Sequence, residues 1–386
     1  MLCHNNIEKM KIIIIGPSFP YRGGIADTNE SLCRALLEKG HDASIITFTL
    51  QYPALLFPGK TQYSTDKKPE NISITRLINT INPLNWLLVA RKINQLKPDL
   101  VLVRYWIPFL APCLGTIAKR LNKNITSIAM CDNVIPHEKR KGDKLLTQYF
   151  TNAFKGFITL SKTTLRELDL FTHRPKVYFP HPINDNLGET IPQSHARTHL
   201  KLDPQGKYLL FFGLIRDYKG LDITIKALGV KAIKALNVKL LVVGEFYESK
   251  DKYQQLIDEL DLNEHITIID EFISLTEIKY YFSAVDLVIQ TYKSASQSGV
   301  SQIAYHFTCP ILVTNVGGLS EIVLHEKVGY VCEKDPEEIA ACLLDYFNNN
   351  RRELFRKNME AEKHKYSWSA FADELLQLCE KVSTPN

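Results

Sequence analysis

Short apolar runs alternate along the chain with stretches in which apolar residues return every three or four positions. The N-terminal half opens with "KIIIIG" from Lys11, a loop "PSFPYRGG", a helix-periodic "IADTNESLCRALLEKG" and a second apolar run, "DASIITF". That order predicts a β-α-β unit. "DLVLV" from Asp99, "ITSIAMC" from Ile125 and "GFITL" from Gly156 repeat it, each followed by a loop and an apolar-periodic segment. Strands this apolar, separated by helices, predict a parallel sheet covered on its faces. Across 181–207, "HPINDNLGETIPQSHARTHLKLDPQGK", the periodicity lapses into Pro, Gly and polar residues, and an interdomain linker is expected. "YLLFFG", "VKLLVVGE", "HITIID", "VDLVIQ" and "PILVTN" then restart the alternation, so a second doubly wound domain follows. An amphipathic stretch, "SWSAFADELLQLCEKV", comes last.

Composition fits that division. With 386 residues, 45% of them hydrophobic, the chain exceeds one ordinary core. The formal net charge of +5 is spread without a basic block, which argues against a nucleic-acid partner and permits weak attraction to anionic substrates or lipid headgroups. The eight cysteines lie far apart with no CxxC, the usage of a reduced, cytoplasmic protein. "IIIIG" follows a polar decapeptide and is too short for a signal-peptide core or a membrane span.

Ligands of open α/β sheets bind outside the carboxyl ends of the strands, so the loops there carry the chemistry. In "GPSFPYRGGIA", Gly23 and Gly24 precede a helix, where missing Cβ atoms let backbone N–H groups approach an anion; a turn that needs glycine dihedrals reads the same way. In "FFGLIRDYKGLDITIKAL", Arg216 and Lys219 converge on a helix N-terminus, a fork and a point charge suited to a diphosphate, against the alternative of a solvated turn. In "TYKSASQSGVSQIAYHF", Ser298 and Gly299 begin a helix whose free N–H groups suit a phosphate or sugar hydroxyls, although a serine N-cap needs no ligand. In "SIAMCDNVIPHEKRKGD", Asp132, Asn133, His137 and Glu138 follow a strand, and a histidine there can orient a hydroxyl or simply be solvated.

These motifs in this order resemble the retaining, nucleotide-sugar-dependent glycosyltransferases of family four (group 1). The resemblance runs from the "GG" opening through "FFGLIRDYKGL", "LLVVGE" and "YYFSAVDLVIQTYKSASQSGVSQIAY" to "PILVTNVGGLSEIV". It implies the α/β fold called GT-B, two Rossmann-like doubly wound domains facing across a cleft. An acceptor-side domain over 1–184, with a crossover helix over 368–386, and a nucleotide-sugar domain over 185–367 follow from it. By the same resemblance Arg216 and Lys219 hold the donor diphosphate, Gly23 and Gly24 approach it, and Glu245 in "LLVVGE" belongs to the donor pocket. The family's usual pair of glutamates after the "VDLVIQ"-type strand is replaced here by Ala295 and Ile303. Gln297, Ser298, Gly299 and Gln302 are expected to supply neutral hydrogen bonds in their stead. His137 is expected on the acceptor side, with Asp132 as rival because "CDN" stands about where the family's histidine falls.

The implied reaction is retaining transfer to a hydroxyl of a glycan or lipid-linked acceptor. It needs charge stabilisation more than a base. With no D-x-D or His/Cys cluster in the sequence, no cofactor and no metal are expected. Peripheral contact at the inner membrane face is an expectation from "YPALLFPGK" and "NPLNWLLVARKINQLK", which mix Leu, Phe and Trp with Lys and Arg; an ordinary sheet-packed helix is the alternative. A sugar-nucleotide epimerase of the same fold and a two-lobed sugar-binding protein are the competing functions.

Overall fold

The computed structural model describes residues 9–53, 62–64, 68–135, 140–183, 187–295 and 298–383. The chain divides into two compact units: Met1–Pro180 with Ser367–Asn386, and His181–Tyr366.

Unit 1 holds strands β1 (Lys11–Ile15), β2 (Asp42–Leu50), β3 (Ser73–Asn79), β4 (Leu100–Tyr105), β5 (Thr126–Cys131), β6 (Gly156–Thr159) and β7 (Lys176–Tyr178). They form one sheet in the order β3-β2-β1-β4-β5-β6-β7, with every pairing parallel. The period of two explains why the central strands read as unbroken apolar runs. Ile13, Ile15, Val101 and Val103 join a core with residues of the helices Pro83–Leu96 and Ala111–Lys119. Ile12, Ile14, Leu100 and Leu102 point the other way, into a core with the helices Gly24–Glu38 and Trp368–Ser383. That last helix is tied to unit 1 by Asp373, 2.7 Å from Lys39, and by Ser383, 2.6 Å from Thr126.

Unit 2 holds β8 (Lys207–Phe212), β9 (Val238–Val243), β10 (Ile266–Ile269), β11 (Leu287–Gln290), β12 (Ile311–Thr314) and β13 (Gly329–Cys332). The sheet order is β10-β9-β8-β11-β12-β13, again all parallel. In each sheet the winding reverses once, between β1 and β4 and between β8 and β11. Crossovers leave those points toward opposite faces, which opens a crevice at the carboxyl ends of the flanking strands.

Two departures from the sequence pattern have physical causes. Strands β3, β7 and β13 lie at sheet edges and are short or only partly buried, so no clear apolar run announces them. Within the expected linker stands the helix Gln193–His199, which docks by polar contacts that apolar periodicity cannot reveal. Arg197 donates through Nε to the Ala284 carbonyl at 2.9 Å and through Nη1 to the Pro204 carbonyl at 2.6 Å.

Candidate functional site

In unit 2 the loop after β8 runs over 213–220 and is fixed by the loop after β11. Thr291 donates through Oγ1 to the Gly220 carbonyl at 2.7 Å, and the Lys293 amide donates to the Tyr218 carbonyl at 2.6 Å. The Lys293 ammonium lies 3.0 Å from both Asp217 and Asp222, and Asp217 also takes Lys252 at 3.0 Å. The chains come so close that Gly220, at φ +67°, has no room for a Cβ against the Thr291 carbonyl. Only glycine meets both demands there.

This cross-brace carries Lys219 inward. Its residue is 7% exposed although it carries an ammonium. The acids closest to it in sequence, Asp217 and Asp222, are engaged by Lys252 and Lys293, and Lys219 makes no ion pair among the described residues. Its ammonium stands 5.5 Å from the centre of the Tyr292 ring, a favourable but weak substitute for a counter-ion. Burial, and to a lesser degree the Arg216 charge, lowers its pKa from 10.5 to about 8. Arg216 is exposed, its guanidinium 4.9 Å from the Tyr247 ring centre, and it too has no ion pair among the described residues. Two uncompensated cations, one of them desolvated, make a place where an anion is stabilised on arrival. Glu245, half-buried after β9, accepts the Ile215 amide through its backbone carbonyl at 2.8 Å. Its carboxylate makes no ion pair among the described residues, and Glu245 brings an acidic group to the same end of the sheet.

The loop after β11 ends at Ser298, whose Oγ accepts the Val300 amide at 3.3 Å and so caps the helix Gly299–His306. The N-cap alternative is therefore present in fact, and the same hydroxyl lies 3.2 Å from the Tyr292 hydroxyl. Gly299 is exposed, and a Cβ built on it meets nothing within 4 Å. No contact among the described residues demands a glycine there. Gln302 is 3% exposed and its side-chain amide has no hydrogen bond among the described residues. Gln297 lies outside the described residues. Tyr292, the residue that joins Lys219 to the Ser298 turn, escaped the sequence reading because a tyrosine inside "TYKSASQSG" looks like one more loop residue.

In unit 1 Gly23 takes φ +113° as the N-cap of the helix Gly24–Glu38, so its turn needs glycine for conformational reasons. Gly24 needs none: its φ is ordinary and a Cβ would meet nothing within 4 Å. His137 and Glu138 lie outside the described residues. Asp132 does not present a free carboxylate. Arg104, 1% exposed in β4, grips both of its oxygens at 2.5 Å, and Asp132 is itself 6% exposed. Arg104 also reaches Met130 Sδ at 3.2 Å and Asn29 Oδ1 at 3.4 Å. A charge inside "LVLVRYW" marks Arg104 as unusual in the sequence, but nothing there names Asp132 as its partner. Among the described residues no group of three or more His, Cys, Asp or Glu is placed to hold a metal ion.

Comparison with known proteins finds two family matches: "Glycosyl transferases group 1" over residues 206–349 and "Glycosyltransferase Family 4" over 22–186. An uncharacterized glycosyltransferase of Methanocaldococcus jannaschii is 23% identical over 96% of this chain and 97% of its own. The α-1,3/1,6-mannosyltransferase of Mus musculus is 27% identical over 62% of this chain and 59% of its own. Among solved structures, Anabaena HepE in complex with UDP and glucose superposes with a TM-score of 0.72 at 18% identity, covering 96% of this chain and all of that one (100%).

The Arg104–Asp132 pair makes a prediction about the residue that competes with His137. Asp132→Asn leaves a buried guanidinium uncompensated and should cost about 3–5 kcal/mol of stability in a denaturant titration, whereas Arg104→Met with Asp132→Leu recovers most of it. A variant Asp132→Asn as stable as the parent would refute the structural role.

Proposed function

The chain belongs to the group 1 glycosyltransferases and has their GT-B fold, and from that premise we propose that it moves a sugar from a nucleoside-diphosphate sugar to an acceptor hydroxyl with retention of anomeric configuration. The observation that carries this reading is Lys219, a desolvated cation without a carboxylate partner among the described residues, standing with Arg216 at the carboxyl end of β8. A diphosphate supplies the missing charge. HepE, a structural neighbour described with UDP, supports a nucleotide donor.

The chemistry follows from where charge develops. The bond between the anomeric carbon and the diphosphate oxygen breaks, and negative charge accumulates on the departing phosphate. Lys219 and Arg216 stabilise that charge more than they stabilise the ground state, which is the condition for catalysis rather than mere binding. The acceptor oxygen attacks on the face the phosphate leaves, and its proton passes to the departing phosphate oxygen. In this reading Gly299 and Ser298 offer the helix N-terminus to the donor, Gln302 its amide, and Glu245 hydroxyl recognition. Gly23 and Gly24 offer backbone N–H groups to an anion at the start of the helix Gly24–Glu38, and His137 orients the acceptor hydroxyl.

A lipid-linked acceptor is favoured by the helix Pro83–Leu96. It buries Val89, Ala90 and Ile93 but leaves Leu84, Leu87 and Leu88 exposed, at 73%, 43% and 65%. Between Glu70 and Asp99 the sequence has no acidic residue, while Arg91, Lys92 and Lys97 are exposed. An apolar stripe with a one-signed basic rim suits the surface of an anionic bilayer. No described helix is long and apolar enough to cross a membrane. Residues 54–60 of "YPALLFPGK", the other segment of this reading, lie outside the described residues.

Two experiments test these readings. Lys219→Met and Arg216→Ala should each lower kcat/KM by about 10²–10³, the scale of losing one charge contact in the transition state. Lys219→Met should also melt no lower than the parent, because it removes a desolvated charge; full transfer activity in both variants sinks the assignment, and an inverted product anomer in the NMR spectrum sinks retention. In flotation with vesicles rich in anionic lipid at low salt, the parent should rise with the lipid and Leu84→Ser with Leu88→Ser should not; a parent that stays at the bottom contradicts the membrane reading.

A further inference from the structure

We propose that unit 2 carries a second anion site, built to take one phosphate group and distinct from the place marked by Lys219. A pocket of about 140 Å³ is lined by, among others, Thr190, Gln193, Ser283, Thr308, Arg352 and Arg356. Its walls include Val285, just before β11, and Pro310, just before β12. It therefore opens at the amino ends of these strands, whereas Lys219 and Tyr292 stand beyond the carboxyl ends of β8 and β11.

Two of the lining residues, on separate helices, each carry a buried polar atom without a hydrogen bond. One is the Ser283 hydroxyl, in a residue 7% exposed in the last turn of the helix Leu275–Ala284. The other is Nε of Arg352, in the helix Arg352–Glu362. Such orphans are uncommon, and each asks what satisfies it. The nearby carboxylate does not. Asp286 stands 3.5 Å from Arg352 Nε, but its two oxygens already accept from Arg197 at 3.2 and 3.1 Å, from Gln193 at 3.2 Å and from the Tyr208 amide at 2.8 Å. A carboxylate has about four acceptor positions, and all are used. The second acid near Arg352 is Glu353, which lies 3.3 Å from Nη1 with its side chain 78% exposed. Arg356 is half-buried and makes no ion pair among the described residues. Cys309 adds no charge, since burial pushes its thiol up to about 12.

The pocket thus offers donors and cations, and no carboxylate is among its lining residues. A phosphate group has only acceptor oxygens to present to them, and its charge matches two guanidiniums, whose planar forks fit its edges. The volume suits a phosphate group and not a whole nucleotide. Inorganic phosphate and the phosphate of a small monoester share this chemistry.

The test uses the full chain carrying Lys219→Met, so that phosphate at the donor place does not contribute. Inorganic phosphate, pyrophosphate and a hexose monophosphate are titrated in a thermal-shift assay, where a ligand of the folded state raises the melting temperature saturably. Phosphate should do so, and Arg356→Gln should weaken it about tenfold or more, the loss expected for one charge-assisted contact. Ser283→Ala, which removes an unpaired hydroxyl and so spares the fold, should weaken it by a smaller factor. A monoester that binds more tightly than phosphate marks a phosphorylated metabolite as the ligand, and equal affinities mark free phosphate. No saturable shift, or one indifferent to both substitutions, overturns the proposal and leaves a pocket filled with water.

Discussion

The desolvated charge of Lys219 is the constraint around which unit 2 is arranged. An ammonium held away from water is unfavourable unless something offsets it, and in this fold the local acids are committed elsewhere. The cross-brace between the loops after β8 and β11 keeps it so: Asp217 and Asp222 are drawn to Lys293, Gly220 passes against the Thr291 carbonyl, and Tyr292 gives the ammonium a ring. The stability forgone by burying this ammonium is stability available to an anion that approaches it. Preorganisation of this kind acts without reorientation at the moment charge develops.

Other buried ions in the molecule obey the opposite rule. Arg104 and Asp132 meet with both oxygens engaged, and Arg197 and Asp286 do likewise at the docking of the linker helix. These pairs neutralise themselves and fix elements in place. Asp132 therefore belongs with the architecture, and what separates it from Lys219 is the balance of charge rather than burial, which both share. The same accounting leads to Arg352, whose neighbour Asp286 already accepts from Arg197, Gln193 and the Tyr208 amide.

The doubly wound sheets were legible because central parallel strands are apolar on both faces, as "KIIIIG", "YLLFFG" and "PILVTN" are. The edge strands β3, β7 and β13 and the helix Gln193–His199 were not, since partial burial and polar docking leave no periodic trace. Arg216, Lys219 and Ser298 could be picked out by their place after strands and before helices. Tyr292 and the Arg104–Asp132 pair required coordinates, because ring contacts and long-range charge balance join residues that spacing keeps apart; the two partners of that pair lie 28 positions apart.

If Lys219 is the hook for a diphosphate, its protonation must govern binding. Its pKa in the folded protein is depressed to about 8, so without ligand its charge burdens the fold below that pH and is shed as pH rises. A bound anion favours the charged form and raises that pKa again. Isothermal titration of a nucleoside diphosphate between pH 7 and 9.5 should therefore give a nearly constant affinity up to about pH 8 and a decline of up to tenfold per pH unit above it, while Lys219→Arg, charged throughout, shows no such break. An affinity that stays level in the parent across this range, or a decline shared equally by Lys219→Arg, would contradict the account.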